Sequence, residues 1–110
     1  MLTAGAHAHS LLLESSPAAG ATLSEGPPQI SLRFNNRIEK RLSTIRVLDE
    51  RGAPRSVTML AGDGAADHLS ATVPALTPGN WRVEWQVLST DGHIVNGRFS
   101  FRIAPAASTR

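Results

Sequence analysis

From Trp81 to Val87 the sequence reads Trp-Arg-Val-Glu-Trp-Gln-Val, apolar at every odd position and polar at every even one. Only an extended chain puts alternate side chains on one side, so this stretch is a strand with one buried face. The same period returns elsewhere. Ile30, Leu32 and Phe34 alternate with Ser31, Arg33 and Asn35, and Phe99, Phe101 and Ile103 with Ser100 and Arg102. Ile45 and Val47, Val57 and Met59, and Leu69, Ala71 and Val73 repeat the pattern, and Leu11–Leu13 reads as a short first strand. The separators are turn-forming: Ser16-Pro17, Gly26-Pro27-Pro28, Glu50-Arg51-Gly52, Gly62-Asp63-Gly64, Pro78-Gly79-Asn80, Asp91-Gly92 and Asn96-Gly97. About seven short strands divided in this way predict an all-β antiparallel sandwich or small Greek-key barrel. Residues 35–43 read as one helical turn or a loop crossing between sheets.

Composition narrows the chemistry. At 110 residues, with 41% hydrophobic and 18% charged, the chain is one domain with a core of its own. It has no cysteine, which excludes disulfides, thiolate metal sites and cysteine nucleophiles. No apolar run reaches the roughly 20 residues of a membrane-spanning helix. Net charge is +2. The cluster Arg33, Arg37, Lys40 and Arg41 lacks the interleaved aromatics and glycines of a nucleic-acid surface, so it reads as a solvated basic patch and nucleic acid is not an expected partner. Residues 1–8 (MLTAGAHA) are small and apolar, and Ala6-His7-Ala8 has the form of a signal-peptidase site, so 1–8 reads as the remnant of an export signal. Residues 104–110 (APAASTR) read as a flexible tail, which leaves 9–103 for the domain.

Four histidines are available: His7, His9, His68 and His93. Cleavage after Ala8 makes His9 the first residue, with a free amine beside its imidazole. An α-amine titrates near pH 8 and is available to a metal near neutrality. Amine and Nδ1 of one residue close a chelate ring, and a nitrogen set of that kind suits Cu(II). In Asp91-Gly92-His93, residues two apart on an extended chain point the same way, so Asp91 and His93 can converge on one point. The same three residues also describe a plain turn, with Asp91 accepting backbone N–H groups and His93 in solvent. His68, beside Asp67 at a strand start, reads as a solvated loop histidine. No G-x-S-x-G or H-E-x-x-H occurs, and Ser89, Asp91 and His93 are too close in sequence to form a triad.

Taken together, His9 eight positions before Pro17 and the run Pro78-Gly79-Asn80-Trp81 through Asp91-Gly92-His93 to Gly97-Arg98-Phe99-Ser100-Phe101 resemble the CopC family of periplasmic copper-resistance and copper-trafficking proteins. The resemblance spans residues 9–103. It implies an immunoglobulin-like sandwich that binds Cu(II) at one end through His9 (amine and ring) and His93, with Asp91 weaker or axial. It also implies a tryptophan, Trp85, near the copper end, and a monomeric, exported carrier that sequesters copper or delivers it to an inner-membrane, CopD-like transporter. Three features depart from the family, the third being the leader: with residues 1–8 still attached, His9 carries an amide in place of its amine. Asn35 and Asn36 stand where some members carry a glutamate near copper. The stretch Glu50 to Met59 holds one thioether where others have a methionine-rich Cu(I) loop, so a Cu(II)-only protein is expected. Ala4-Gly5-Ala6 offers a second cleavage site that would start the chain at His7, although the spacing to Pro17 favours His9. An uncut chain could set His7, His9 and His93 together as a site equally suited to Zn(II) or Ni(II). Two other functions stay open: a histidine-brace copper oxygenase, and a metal-free sandwich acting as an interaction domain.

Overall fold

The computed structural model describes residues 11–60 and 64–105. The alternating runs form strands whose inner faces meet in one core. The strands are β1 (Leu12–Ser16), β2 (Thr22–Leu23), β3 (Gln29–Phe34), β4 (Thr44–Leu48), β5 (Pro54–Arg55), β6 (Thr58–Met59), β7 (His68–Thr72), β8 (Gly79–Leu88) and β9 (Ile94–Ile103). They build two sheets, a four-stranded one in the order β1-β3-β7-β6 and a five-stranded one in the order β2-β9-β8-β4-β5. All pairings are antiparallel except β2 with β9. The architecture is the expected β-sandwich. Its strand segments exceed the seven predicted because β2 and β5 are two-residue pieces too short to carry a readable period, while the Val57–Met59 run is present as β6. The first strand also runs further than Leu11–Leu13, ending at Ser16.

The core follows the alternation. Ile30, Leu32 and Phe34 from β3 and Leu69 and Ala71 from β7 face Ile45 and Val47 of β4, Trp81, Val83 and Val87 of β8, and Phe99, Phe101 and Ile103 of β9. Full burial of each large aliphatic or aromatic side chain is worth roughly 1.5–3 kcal/mol. β8 and β9 supply six of these side chains and pair without a break from Gly79↔Ile103 to Leu88↔Ile94. Residues 35–43 are both things the sequence allowed. They cross from the end of β3 to the start of β4 and contain a one-turn 3-10 helix at Lys40–Leu42.

One turn signal is overruled. Asn96-Gly97 lies inside β9, with Gly97 directly opposite Trp85. A side chain at 97 would run into the indole of Trp85. That indole has little room to move, since it meets Phe34 edge-on at 6.3 Å and Phe99 at 6.0 Å. The glycine is there so that the ring can lie against the strand. Met59 is partly buried and packs against the core, so the one thioether of the Glu50–Met59 stretch serves packing.

Adding a methyl group at this position should therefore be expensive. Gly97→Ala is expected to destabilise the fold by about 1–3 kcal/mol, the usual penalty of an overpacked core. Urea unfolding monitored by tryptophan emission measures it, and an unchanged midpoint would show that the Trp85 ring is not fixed by its neighbours.

Candidate metal centre

The loop joining β8 to β9 carries the Asp91-Gly92-His93 motif, and its shape is set by the main chain. The Ser89 N–H donates to the His93 carbonyl at 2.8 Å and the Gly92 N–H to the Ser89 carbonyl at 2.9 Å. Gly92 has φ +92°. Three residues between a closing pair, with a left-handed residue last, is a standard hairpin connection, and glycine takes that conformation without strain. This geometry turns Asp91 and His93 toward each other. Asp91 Oδ1 accepts the His93 backbone N–H at 3.1 Å, and Asp91 Oδ2 lies 3.0 Å from His93 Nδ1.

Both sequence expectations for this motif thus hold at once. Asp91 stabilises the turn, and the carboxylate and imidazole also converge. The His93 side chain is 61% exposed, so it presents a ring to solvent on a backbone that does not depend on it. A neutral imidazole that donates Nδ1–H to this carboxylate keeps its lone pair on Nε2, the tautomer in which it binds a metal through the far nitrogen.

The start of the described chain reaches the same pole. Leu12 pairs with Phe34, and between Leu12 and Glu14 the register slips, making Leu13 the extra residue of a β-bulge. Just before it, Leu11 and Asn35 are joined twice. The Leu11 N–H donates to Asn35 Oδ1 at 2.8 Å, and the Asn35 N–H donates to the Leu11 carbonyl at 2.9 Å. Three residues on, Ile38 forms a β-bridge with Ser89, and the Glu39 N–H donates to the Leu88 carbonyl at 2.9 Å. From Asn35 to Ile38 the chain can span at most about 10 Å. The entry to β1 and the 89–93 loop are therefore tied to one short segment. Asn35 is the residue that sequence reading undervalued. In sequence it stands as a polar position beside Phe34 and a replacement for glutamate, whereas its amide side chain anchors the incoming chain.

His7 and His9 lie outside the described residues. Among the described residues, no group of three or more histidine, aspartate or glutamate side chains forms a metal cluster; in the 89–93 loop two such side chains, Asp91 and His93, are brought together. His68 opens β7 and pairs with Arg33 of β3. Its Nδ1 sits 2.7 Å from Asp67 Oδ1, a contact that holds the Asp67 carboxyl below its usual range. Next to it, a hydrogen bond from Arg33 lowers Glu14 likewise. This is a polar row on the outside of the four-stranded sheet. Trp85, in contrast, packs edge-on against Phe34, the residue next to Asn35, three residues before β8 ends at Leu88.

Comparison with known proteins adds a separate line of observation. The CopC domain model matches residues 12–104. Copper resistance protein C of Xanthomonas campestris pv. juglandis is 32% identical, over 94% of this chain and 86% of that protein. The copper transport protein CutJ of Bacillus subtilis is 31% identical over 90% of this chain, which corresponds to 19% of that longer protein. The crystal structure of CopC from Methylosinus trichosporium OB3b superposes with a TM-score of 0.85 at 31% identity, covering 93% of this chain and all of that one.

The Asn35 anchor can be checked directly. In Asn35→Ala the Leu11 amide loses its acceptor, and one hydrogen bond is worth about 1 kcal/mol. Hydrogen exchange at Leu11 should quicken about fivefold while the amides of β8 keep their protection. Equal acceleration in both places would mean that the substitution loosens the whole sandwich and that Asn35 is not a local anchor.

Proposed function

The chain belongs to the CopC family, whose members bind and traffic copper without catalysing a reaction, and we propose that it is an exported, periplasmic carrier of Cu(II). His9 supplies its amine and imidazole, His93 its imidazole, and Asp91 its carboxylate at a weaker position. The observation that carries this reading is the shared pole. Leu11, two residues after His9, is fastened to Asn35, and the segment running on from Asn35 is bridged to Ser89 at the base of the Asp91–His93 loop. Two residues of extended chain reach about 7 Å further.

The donor set fits the ion. Imidazole and amine nitrogens are preferred by Cu(II), which heads the affinity order for divalent metals. Soft ligands for Cu(I) are absent from the 50–59 stretch apart from Met59, whose thioether packs against the core. A preformed loop that does not rely on the metal for its shape keeps His93 oriented in the empty and the loaded protein alike. An exposed ring at the tip of a hairpin also suits hand-over, because an acceptor can reach the ion from outside. The recipient is an inner-membrane copper transporter of the CopD-like kind, and the carrier acts as a monomer.

Copper titration followed by EPR separates this reading from the others. Protein beginning at His9 should give a nitrogen-rich Cu(II) signal that the full 110-residue chain does not, since an amide nitrogen at residue 9 cannot chelate in the same way. Within the trimmed protein, Asp91→Asn should weaken binding roughly 10–100-fold, as loss of a supporting carboxylate does, and His93→Ala should weaken it more. Copper binding that survives His93→Ala unchanged would falsify the assignment.

Acidity gives a second measurement. Free imidazole titrates near 6.5 and an α-amine near 8, and protons compete with the ion for both. Affinity should therefore fall steeply as pH drops from about 7 to 5. Identical affinities at the two ends of that range would remove the imidazoles from the site.

A further inference from the structure

The outer face of the five-stranded sheet has a charge pattern that the copper site does not use. Arg46 on β4, Arg82 on β8, and Arg98 and Arg102 on β9 lie on one side, because the residues alternating with them (Val47, Val83, Phe99 and Phe101) are buried. Register sets them in a grid, with Arg46 opposite Glu84, Glu84 opposite Arg98, Arg82 opposite Ser100 and Asn80 opposite Arg102. The one carboxylate within this grid is Glu84. It is shared by Arg46 at 3.2 Å and Arg82 at 3.0 Å. The side chains of Arg98 and Arg102 form no hydrogen bond or ion pair among the described residues and are exposed.

The border of the face away from the metal loop carries Asp49 and Glu50, and both are engaged. Asp49 accepts the amides of Arg51 and Ala53 and pairs with Arg55 at 3.7 Å. Glu50 accepts the Asn80 amide at 2.9 Å. Toward the metal loop the face passes through the uncharged row Thr44, Gln86 and Asn96 and ends on an apolar pair. Leu88 pairs with Ile94 there, Ile94 is 61% exposed, and Leu42, just ahead of β4, is 64% exposed.

We propose that this face docks on an anionic lipid bilayer, with the guanidinium groups on lipid phosphate oxygens and Ile94 and Leu42 entering the headgroup boundary. Arginine presents a fork of donors that matches a phosphate, and an anionic membrane surface attracts such charges additively. Protein interfaces usually surround an apolar centre with a polar rim. Here the charges occupy the centre and the aliphatic side chains stand at one end, the combination that holds proteins to the surface of charged membranes. Docked in this way, the 89–93 loop lies beside the bilayer. The inference does not depend on copper, and the metal-free protein should dock equally well.

Co-sedimentation with vesicles tests it, using phosphatidylglycerol and phosphatidylcholine in equal parts against phosphatidylcholine alone. The full chain should bind only the mixed vesicles and be released as salt rises. Each cation near such a surface raises partition roughly fivefold, so the double substitution Arg98→Gln and Arg102→Gln should weaken it about 30-fold. Its melting temperature and Cu(II) affinity should not change. Ile94→Ser should weaken partition several-fold at every salt concentration. Equal binding to both vesicle types, binding to neither, or an undiminished double variant would overturn the proposal. Salt-sensitive retention on polyglutamate by a protein that ignores mixed vesicles would also overturn it, and would assign the face to an acidic protein.

Discussion

The crossing at residues 35–39 is the constraint that organises one whole end of this molecule. It is bonded on one side to the start of β1, through the paired Leu11–Asn35 contacts, and on the other to the end of β8, through the Ile38–Ser89 bridge and the Glu39–Leu88 bond. The buried Ser43 completes it, donating its hydroxyl to the Glu39 carbonyl and accepting the Leu88 amide. Without these bonds the two sheets would still share a core, but the chain entry and the β8–β9 loop would have no fixed relation. The proposed site, divided between distant parts of the sequence, needs that relation more than it needs a deep pocket.

The strands were legible because a half-buried strand writes its burial into the sequence at period two. Trp81 to Val87 and Phe99 to Ile103 could be read residue by residue, and the buried set follows them. The pieces that sequence does not announce, β2 and β5, are held by neighbours and carry too few residues to show a period. Asn96-Gly97 misled for a related reason. A glycine required by tertiary contact with Trp85 looks the same in sequence as a glycine required by a turn.

The candidate site was legible in part. Asp91 and His93 do converge, but through the turn closed by Ser89 and Gly92 and not through alternation along an extended chain. Asn35 was not legible as an anchor, because its effect depends on which strand lies beside β3, and that is a property of topology. Nor did the sequence show that four separated arginines share a plane. Arg46, Arg82, Arg98 and Arg102 are brought together only by the register of three strands.

The closure of the 89–93 loop by main-chain bonds has a consequence for how such a protein can change. Apart from Gly92 and the Asp91 carboxylate, which accepts the His93 amide, the geometry of the tip asks little of the side chains displayed on it. Thr90 and His93 are therefore positions where donor atoms can be exchanged without disturbing the packed sandwich below. One scaffold can in this way be retuned to a harder or softer ion by a few substitutions, in the manner of a socket whose pins are replaceable while its housing stays the same.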